Sequence, residues 1–112
     1  MKRTILFCLF SLAAPLVAQD PVASLEGDVH DASGAAVGAA VVTLRNLDTG
    51  AQLRQITSQQ GYYKFALAPV GSYLVTVESP GFAKYQQQPV RLNVSKTVRL
   101  DVSLALATQT DS

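Results

Sequence analysis

The sequence predicts an all-β fold, a single sandwich of about seven strands. Three observations predict it. Apolar residues recur at period 2 in short runs rich in Val, Leu, Tyr and Phe, the pattern of half-buried strands. Gly, Pro, Asp and Ser break these runs about every 8–12 residues, which is sandwich spacing. Beyond residue 18, no stretch sustains the 3.6-residue period of an amphipathic helix.

Residues 1–18 are set apart from the sandwich. Lys2 and Arg3 precede an apolar run from Ile5 to Ala14, and Leu16-Val17-Ala18 offers a small residue before Gln19. That is the layout of a secretory signal peptide. The run is short of the roughly 20 residues a spanning helix needs. Cys8 lies inside it after Phe7, a poor context for lipid attachment. Cleavage after Ala18 would leave no cysteine, so no disulfide would staple the domain and its stability would rest on core burial.

The domain is expected over residues 19–106. Gln19 to Ala23 is a lead-in, and the first strand runs from Ser24 to His30 with Leu25, Gly27 and Val29 on one face. Asp31-Ala-Ser-Gly34 is a turn, because Asp and Ser bond back to nearby amides and Gly tolerates positive φ. Ala35 to Ala39 is a connection. Ala40 to Leu47 is the second strand, with Ala40, Val42 and Leu44 inward. Asp48-Thr-Gly50 turns the chain. Gln52 to Thr57 returns as a polar strand suited to a sheet edge, where Arg54 discourages aggregation.

The stretch from Ser58 to Phe82 is the organising unit: turn, strand, turn, strand, turn. Tyr63 and Phe65 share the inner face, with Tyr62 and Lys64 outward. Pro69 and Gly71 break the chain, and Tyr73, Val75 and Val77 then point inward. Pro80-Gly81 closes the unit and Phe82 tucks back onto the core. Ala83 to Gln88 is polar, and Pro89 bars it from the middle of a sheet. Val90 to Ser95 is a further strand. Val98, Leu100, Val102, Leu104 and Leu106 then alternate with polar or small residues and predict one long strand with five apolar positions on one face. Residues 107–112 are expected to be a disordered tail.

Charge excludes some functions. Without Lys2 and Arg3, seven Lys and Arg face eight Asp and Glu, a net charge of −1 with His30 neutral. No basic patch suggests nucleic acid, and no later segment is long and apolar enough to span a membrane as a helix.

Three motifs in order resemble the carboxypeptidase regulatory-like domain family. They are the segment from Gly27-Asp-Val-His-Asp31 through Val42-Thr-Leu44, then Gly61-x-Tyr63-x-Phe65, and then Leu67-x-Pro69-x-Gly71-x-Tyr73-x-Val75-x-Val77 with Pro80-Gly81-Phe82. The resemblance spans about Ser24 to Leu106. Gly38 stands where the family often has proline, and Ser58 lies near where it often has aspartate. The resemblance implies a transthyretin-like (prealbumin-like) antiparallel sandwich with Greek-key connections, and a non-catalytic accessory role. A signal peptide followed directly by such a domain looks most like the N-terminus of TonB-dependent outer-membrane transporters. Ser112 ends the sequence before any plug or barrel, so the expectation is a small exported protein or a truncated relative.

The residues themselves point the same way. His30 beside Asp28 and Asp31 is the one constellation with metal-ligand residue types, and it reads as a strand end and a turn rather than a cation site. No nucleophile elbow is present and no cysteine would remain after cleavage, so no catalytic residue, metal or cofactor is assigned. A Lys–Asn crosslink, as in related collagen-adhesin domains, lacks its Lys in the first strand and its Asn in the last. The expected role is binding at the cell envelope, with carbohydrate the leading ligand and an envelope protein the alternative partner. Sugars stack on exposed aromatic faces, so Tyr62, Lys64 and Tyr85 are the candidate ligand-binding residues. Strand-mediated association through Gln52–Thr57 or Ala83–Gln88 is the other mode. Export implies a periplasmic, outer-membrane-associated or secreted protein.

Overall fold

The computed structural model describes residues 21–108, so the expected signal peptide and the residues beyond 108 lie outside the described residues. Among the described residues eight strands run in order: β1 (Val22–Asp31), β2 (Val41–Asn46), β3 (Gln52–Ile56), β4 (Tyr62–Pro69), β5 (Gly71–Glu78), β6 (Tyr85–Leu92), β7 (Thr97–Arg99) and β8 (Val102–Leu104). They form two sheets. Sheet I has the order β4-β1-β7, with β8 also on β1; sheet II has the order β3-β2-β5-β6. Among the described residues, no helix is long and apolar enough to cross a membrane.

The period-2 pattern places the core. Leu25 and Val29 of β1, Tyr63 and Phe65 of β4, and Val102 and Leu104 of β8 face Val42 and Leu44 of β2, Tyr73, Val75 and Val77 of β5, and Leu92 of β6. All are nearly inaccessible to solvent, and fully burying a side chain of this size contributes about 1.5–3 kcal/mol. Phe82 packs against this core as expected. The strand from Gln52 does lie at a sheet edge, with every residue exposed.

Polar residues hold the turns. The Asn46 side-chain oxygen accepts from the Asp48 and Thr49 amides at 2.8 and 3.0 Å, and closes the β2–β3 hairpin. Buried Thr57 pins the connection before β2: its hydroxyl donates to the Val37 carbonyl and accepts from the Ala40 amide, at 2.8 and 2.9 Å. Gly61 sits at φ 81°, and a Cβ there would meet the Val29 carbonyl oxygen at 2.3 Å. Only glycine suits that position.

The structure corrects the expectations at four places. First, β1 begins at Val22, directly after Pro21, so the lead-in is shorter than expected. Second, Tyr85–Leu92 is one strand rather than a polar segment followed by a separate strand. Pro89 is accommodated because β6 is an edge strand and its register with β5 shifts between Tyr73 and Val75. The Gln88–Pro89 peptide is cis.

Third, the sandwich is not wholly antiparallel: β7 and β8 run parallel to β1. The chain leaves β6 through Asn93–Lys96 and arrives in sheet I beside the start of β1. There the Ser95 amide donates to the Val22 carbonyl and the Ser24 amide to the Lys96 carbonyl, both at 2.9 Å. β7 therefore starts at the same end as β1 and runs alongside it.

Fourth, the expected strand from Val98 to Leu106 is broken in two. Val98 and Leu100 are only partly buried, and Leu106 is 71% exposed. The register is the same on both sides of the break, Leu25 against Val98 and Val29 against Val102. The Leu100 amide still donates to the Glu26 carbonyl at 2.9 Å. The Leu100 carbonyl, however, turns into the interior, where the Tyr63 hydroxyl donates to it at 2.5 Å. In a regular parallel ladder that carbonyl would take the Asp28 amide. The Asp101 carboxylate takes it instead, at 2.9 Å. Gly27 makes room for the inturned carbonyl: a Cβ there would lie 1.8 Å from the Leu100 oxygen. Beyond Leu104 the chain leaves β1 and bridges Phe82 through Leu106.

Candidate functional site

The outer face of sheet I carries two of the three residues singled out from sequence. Tyr62 and Lys64 of β4 both project there, opposite Asp28 and Glu26 of β1. Tyr62 is 38% exposed. Its hydroxyl donates to Glu26 Oε2 at 2.7 Å, and this bond holds the phenol above its ordinary pKa. The Arg99 charge on this face is matched locally. The Arg99 guanidinium forks onto the Asp101 carboxylate, with Nε 3.2 Å from Oδ2 and Nη2 3.1 Å from Oδ1. Nη2 also reaches Asp28 Oδ2 at 2.7 Å. The Asp28 amide, and then Arg99, hold the Asp101 carboxyl below its ordinary range.

Tyr85 does not join them. It lies on β6 opposite Val77, whose side chain is in the core, and its ring is half-buried against that core. Burial pushes its phenol up, and its hydroxyl donates to Gln87 Oε1. Tyr62 and Tyr85 thus belong to different sheets and do not form one platform.

The carboxylates near His30 are engaged elsewhere. Asp31 Oδ1 accepts from the Ser33 hydroxyl and amide and from the Ala35 amide, and these bonds lower its pKa. Asp28 is held by Arg99.

The outer face of sheet II holds a feature that sequence reasoning did not assemble. A trough of about 300 Å³ crosses all four strands. β2 contributes Thr43 and Arg45, β3 Gln52 and Arg54, β5 Leu74, Thr76 and Glu78, and β6 Gln86, with Lys84 just before it. Lys84 Nζ lies 3.3 Å from Glu78 Oε1. This pair also borders an adjoining hollow of about 430 Å³ walled by Val41, Pro80 and Phe82. The lining supplies amide, hydroxyl and guanidinium hydrogen-bonding groups over a partly apolar floor, so it suits a polar, polyhydroxylated ligand. Alternation along β2, with Ala40, Val42 and Leu44 inward, puts Arg45 outward. Which strands lie side by side was not legible, and the trough exists only once β3, β2, β5 and β6 are neighbours.

The model of the carboxypeptidase regulatory-like domain family matches residues 24–105. Among curated proteins no relative matches the sequence. Several solved structures share the fold. A candidate carbohydrate-binding protein from Bacteroides uniformis superposes with a TM-score of 0.62 at 20% identity, over 75% of this chain and 41% of that one. The Bacillus anthracis TIE protein gives 0.62 at 17% identity, over 77% of this chain and 17% of that one. Catechol 1,2-dioxygenase from Acinetobacter radioresistens gives 0.64 at 13% identity, over 81% and 54%. At these identities the likeness is one of fold. The chain spans well under two thirds of each of these three structures.

Proposed function

The chain belongs to the carboxypeptidase regulatory-like domain family, and on that premise we propose that it is an exported, non-catalytic binding domain of the cell envelope whose ligand is a carbohydrate. The trough on sheet II carries this reading, because its lining matches the hydrogen-bonding demands of sugar hydroxyls. The family match and a fold shared with a candidate carbohydrate-binding protein support it. Export rests on the pattern of residues 1–18 and implies a periplasmic, outer-membrane-associated or secreted protein.

The test is a glycan array probed with the purified protein, together with its Gln86→Ala, Tyr62→Ala and Tyr85→Ala variants. Saturable binding that is lost in the folded Gln86→Ala protein places the site in the trough. Loss in Tyr62→Ala moves it to sheet I, and loss in Tyr85→Ala moves it to the β6 edge. No binding to any glycan rejects carbohydrate for the panel tested.

One observation favours a second reading, a protein-interaction module akin to the N-terminal domain of TonB-dependent transporters. Among the described residues strand β3 is an unpaired edge with Leu53 and Ile56 exposed, and Leu67 of β4 is 75% exposed. Such an edge can accept a partner's strand. An Ile56→Lys substitution should then abolish capture of an envelope protein and leave sugar binding untouched.

A further inference from the structure

Resting on the carbohydrate reading, we propose that the sheet II trough selects acidic polysaccharides, with Arg45 and Arg54 as the clamp for the carboxylate or sulfate of the sugar chain. The register sets Thr43 opposite Arg54 and Arg45 opposite Gln52. Arg45 and Arg54 are therefore diagonal neighbours on one face, about 7–8 Å apart along that diagonal. That spacing lets both guanidinium groups reach one anionic group lying between them.

Among the described residues, no carboxylate lies within ion-pair distance of either. The contrast with sheet I is direct, since Arg99 there is answered by two aspartates. Among the described residues the one carboxylate lining the trough, Glu78, is engaged by Lys84. Three cations against one anion leave the trough positive, in a chain whose residues after 18 carry a net charge of −1. The positive charge is thus a local arrangement, not a reflection of composition.

The rest of the lining suits a sugar rather than a bare anion. Gln52 and Gln86 offer amides and Thr43 and Thr76 offer hydroxyls, while Leu74 gives an apolar patch for the C–H face of a pyranose. The trough and the hollow beside Phe82 share Glu78 and Lys84 in their walls, so the two lie next to each other on this face. A guanidinium fork binds carboxylate or sulfate oxygens in a bidentate manner that Lys cannot reproduce.

The test is calorimetric titration of the purified protein with polygalacturonate and dextran sulfate, against neutral xyloglucan and dextran, at low and physiological salt. Acidic chains should bind at least about tenfold more tightly than neutral ones, and more weakly as salt rises. Arg45→Gln and Arg54→Gln should each lose about tenfold, with Arg→Lys at either site intermediate. Arg91→Gln, a charge on the same sheet outside the trough, should change little. Polygalacturonate and dextran sulfate together report which acidic group the clamp prefers. Equal binding of neutral and acidic chains, indifferent to both arginines, overturns this proposal and leaves the carbohydrate reading standing. An equal loss in Arg91→Gln overturns it as well, by making the attraction nonspecific. Failure to bind either acidic polymer overturns this proposal, and the glycan array then decides the carbohydrate reading separately.

Discussion

Replacing Gly27 with Ala tests the account of the β1–β7–β8 seam most severely. On backbone grounds alone, Gly→Ala inside a strand should stabilise the protein by about 0.4–1 kcal/mol, by narrowing the unfolded ensemble. The structure predicts the opposite sign. The new Cβ would sit 1.8 Å from the Leu100 carbonyl oxygen, where a C···O contact needs about 3.3 Å. The two backbones would have to part by roughly 1.5 Å, taking contact distance as the target. Three hydrogen bonds depend on their closeness: Leu100 amide to Glu26 carbonyl, Tyr63 hydroxyl to Leu100 carbonyl, and Asp28 amide to the Asp101 carboxylate. At about 1 kcal/mol each, their loss costs about 3 kcal/mol, a large share of the 5–15 kcal/mol that holds a domain together. The melting temperature should fall by roughly 10–25 °C. Urea denaturation followed by tyrosine fluorescence reads the effect, because the chain has no tryptophan. Gly50→Ala is the control: its φ is 77° and its Cβ would meet nothing within 4 Å, so only a backbone cost of about 1–2 kcal/mol applies. A Gly27→Ala midpoint equal to or above wild type would refute the close-approach argument.

Further predictions concern the polar groups around that seam and the β2 turn. Tyr63→Phe leaves the inturned Leu100 carbonyl without its donor and should cost about 1–3 kcal/mol in the same urea assay. Burial raises the folded-state pKa of Tyr63 above its ordinary value of 10.0. Its contribution to stability is therefore present below pH 10 and lost as the unfolded phenol ionises above it; the alkaline loss should be smaller in Tyr63→Phe. Asp101 has a lowered pKa, so its contribution is present above its ordinary value of 3.8 and lost as pH falls through the folded value. Asp101→Asn keeps an acceptor for the Asp28 amide but does not titrate, and should flatten the acid limb of stability below about pH 4. Thr57→Val should cost about 1–3 kcal/mol, because it strips partners from the Ala40 amide and Val37 carbonyl at once.

Most of the sandwich was legible because local chemistry dictated it. Alternation in β1, β2, β4 and β5 assigned Leu25, Val42, Tyr63 and Val75 to the core without reference to any neighbour. Turn residues such as Asp31 and Gly61 marked the corners for equally local reasons. The C-terminal strands were misread where a long-range contact overrode the pattern. Five alternating apolar residues imply one strand, but Tyr63 pulls the Leu100 carbonyl inward and breaks it. Gly27 was the available signal, since a glycine inside a strand marks close backbone approach. The candidate ligand-binding tyrosines separated for the same kind of reason. Tyr62 and Tyr85 both alternate as strand residues, and only the pairing order puts them on different sheets. The sheet II trough was out of reach of the sequence because it is a property of four strands in a particular order.

The parallel seam also has a mechanical meaning. β1 starts beside β7 at one end of the sandwich, and β8 finishes beside the end of β1 at the other, with Ser24 opposite Thr97 and Asp31 opposite Leu104. Tension applied between Val22 and Leu104 would drag these strands in opposite directions along their shared axis. The bonds of the seam would then bear load together, in shear, instead of opening one after another like a zip. Eight residues of strand, from Ser24 to Asp31, span about 26 Å at 3.3 Å each. A domain pulled at these two points would act as a short, stiff link. Single-molecule extension should show a well-defined rupture force that falls in Gly27→Ala, and an unchanged force in that variant would show that the seam is not where the load is held.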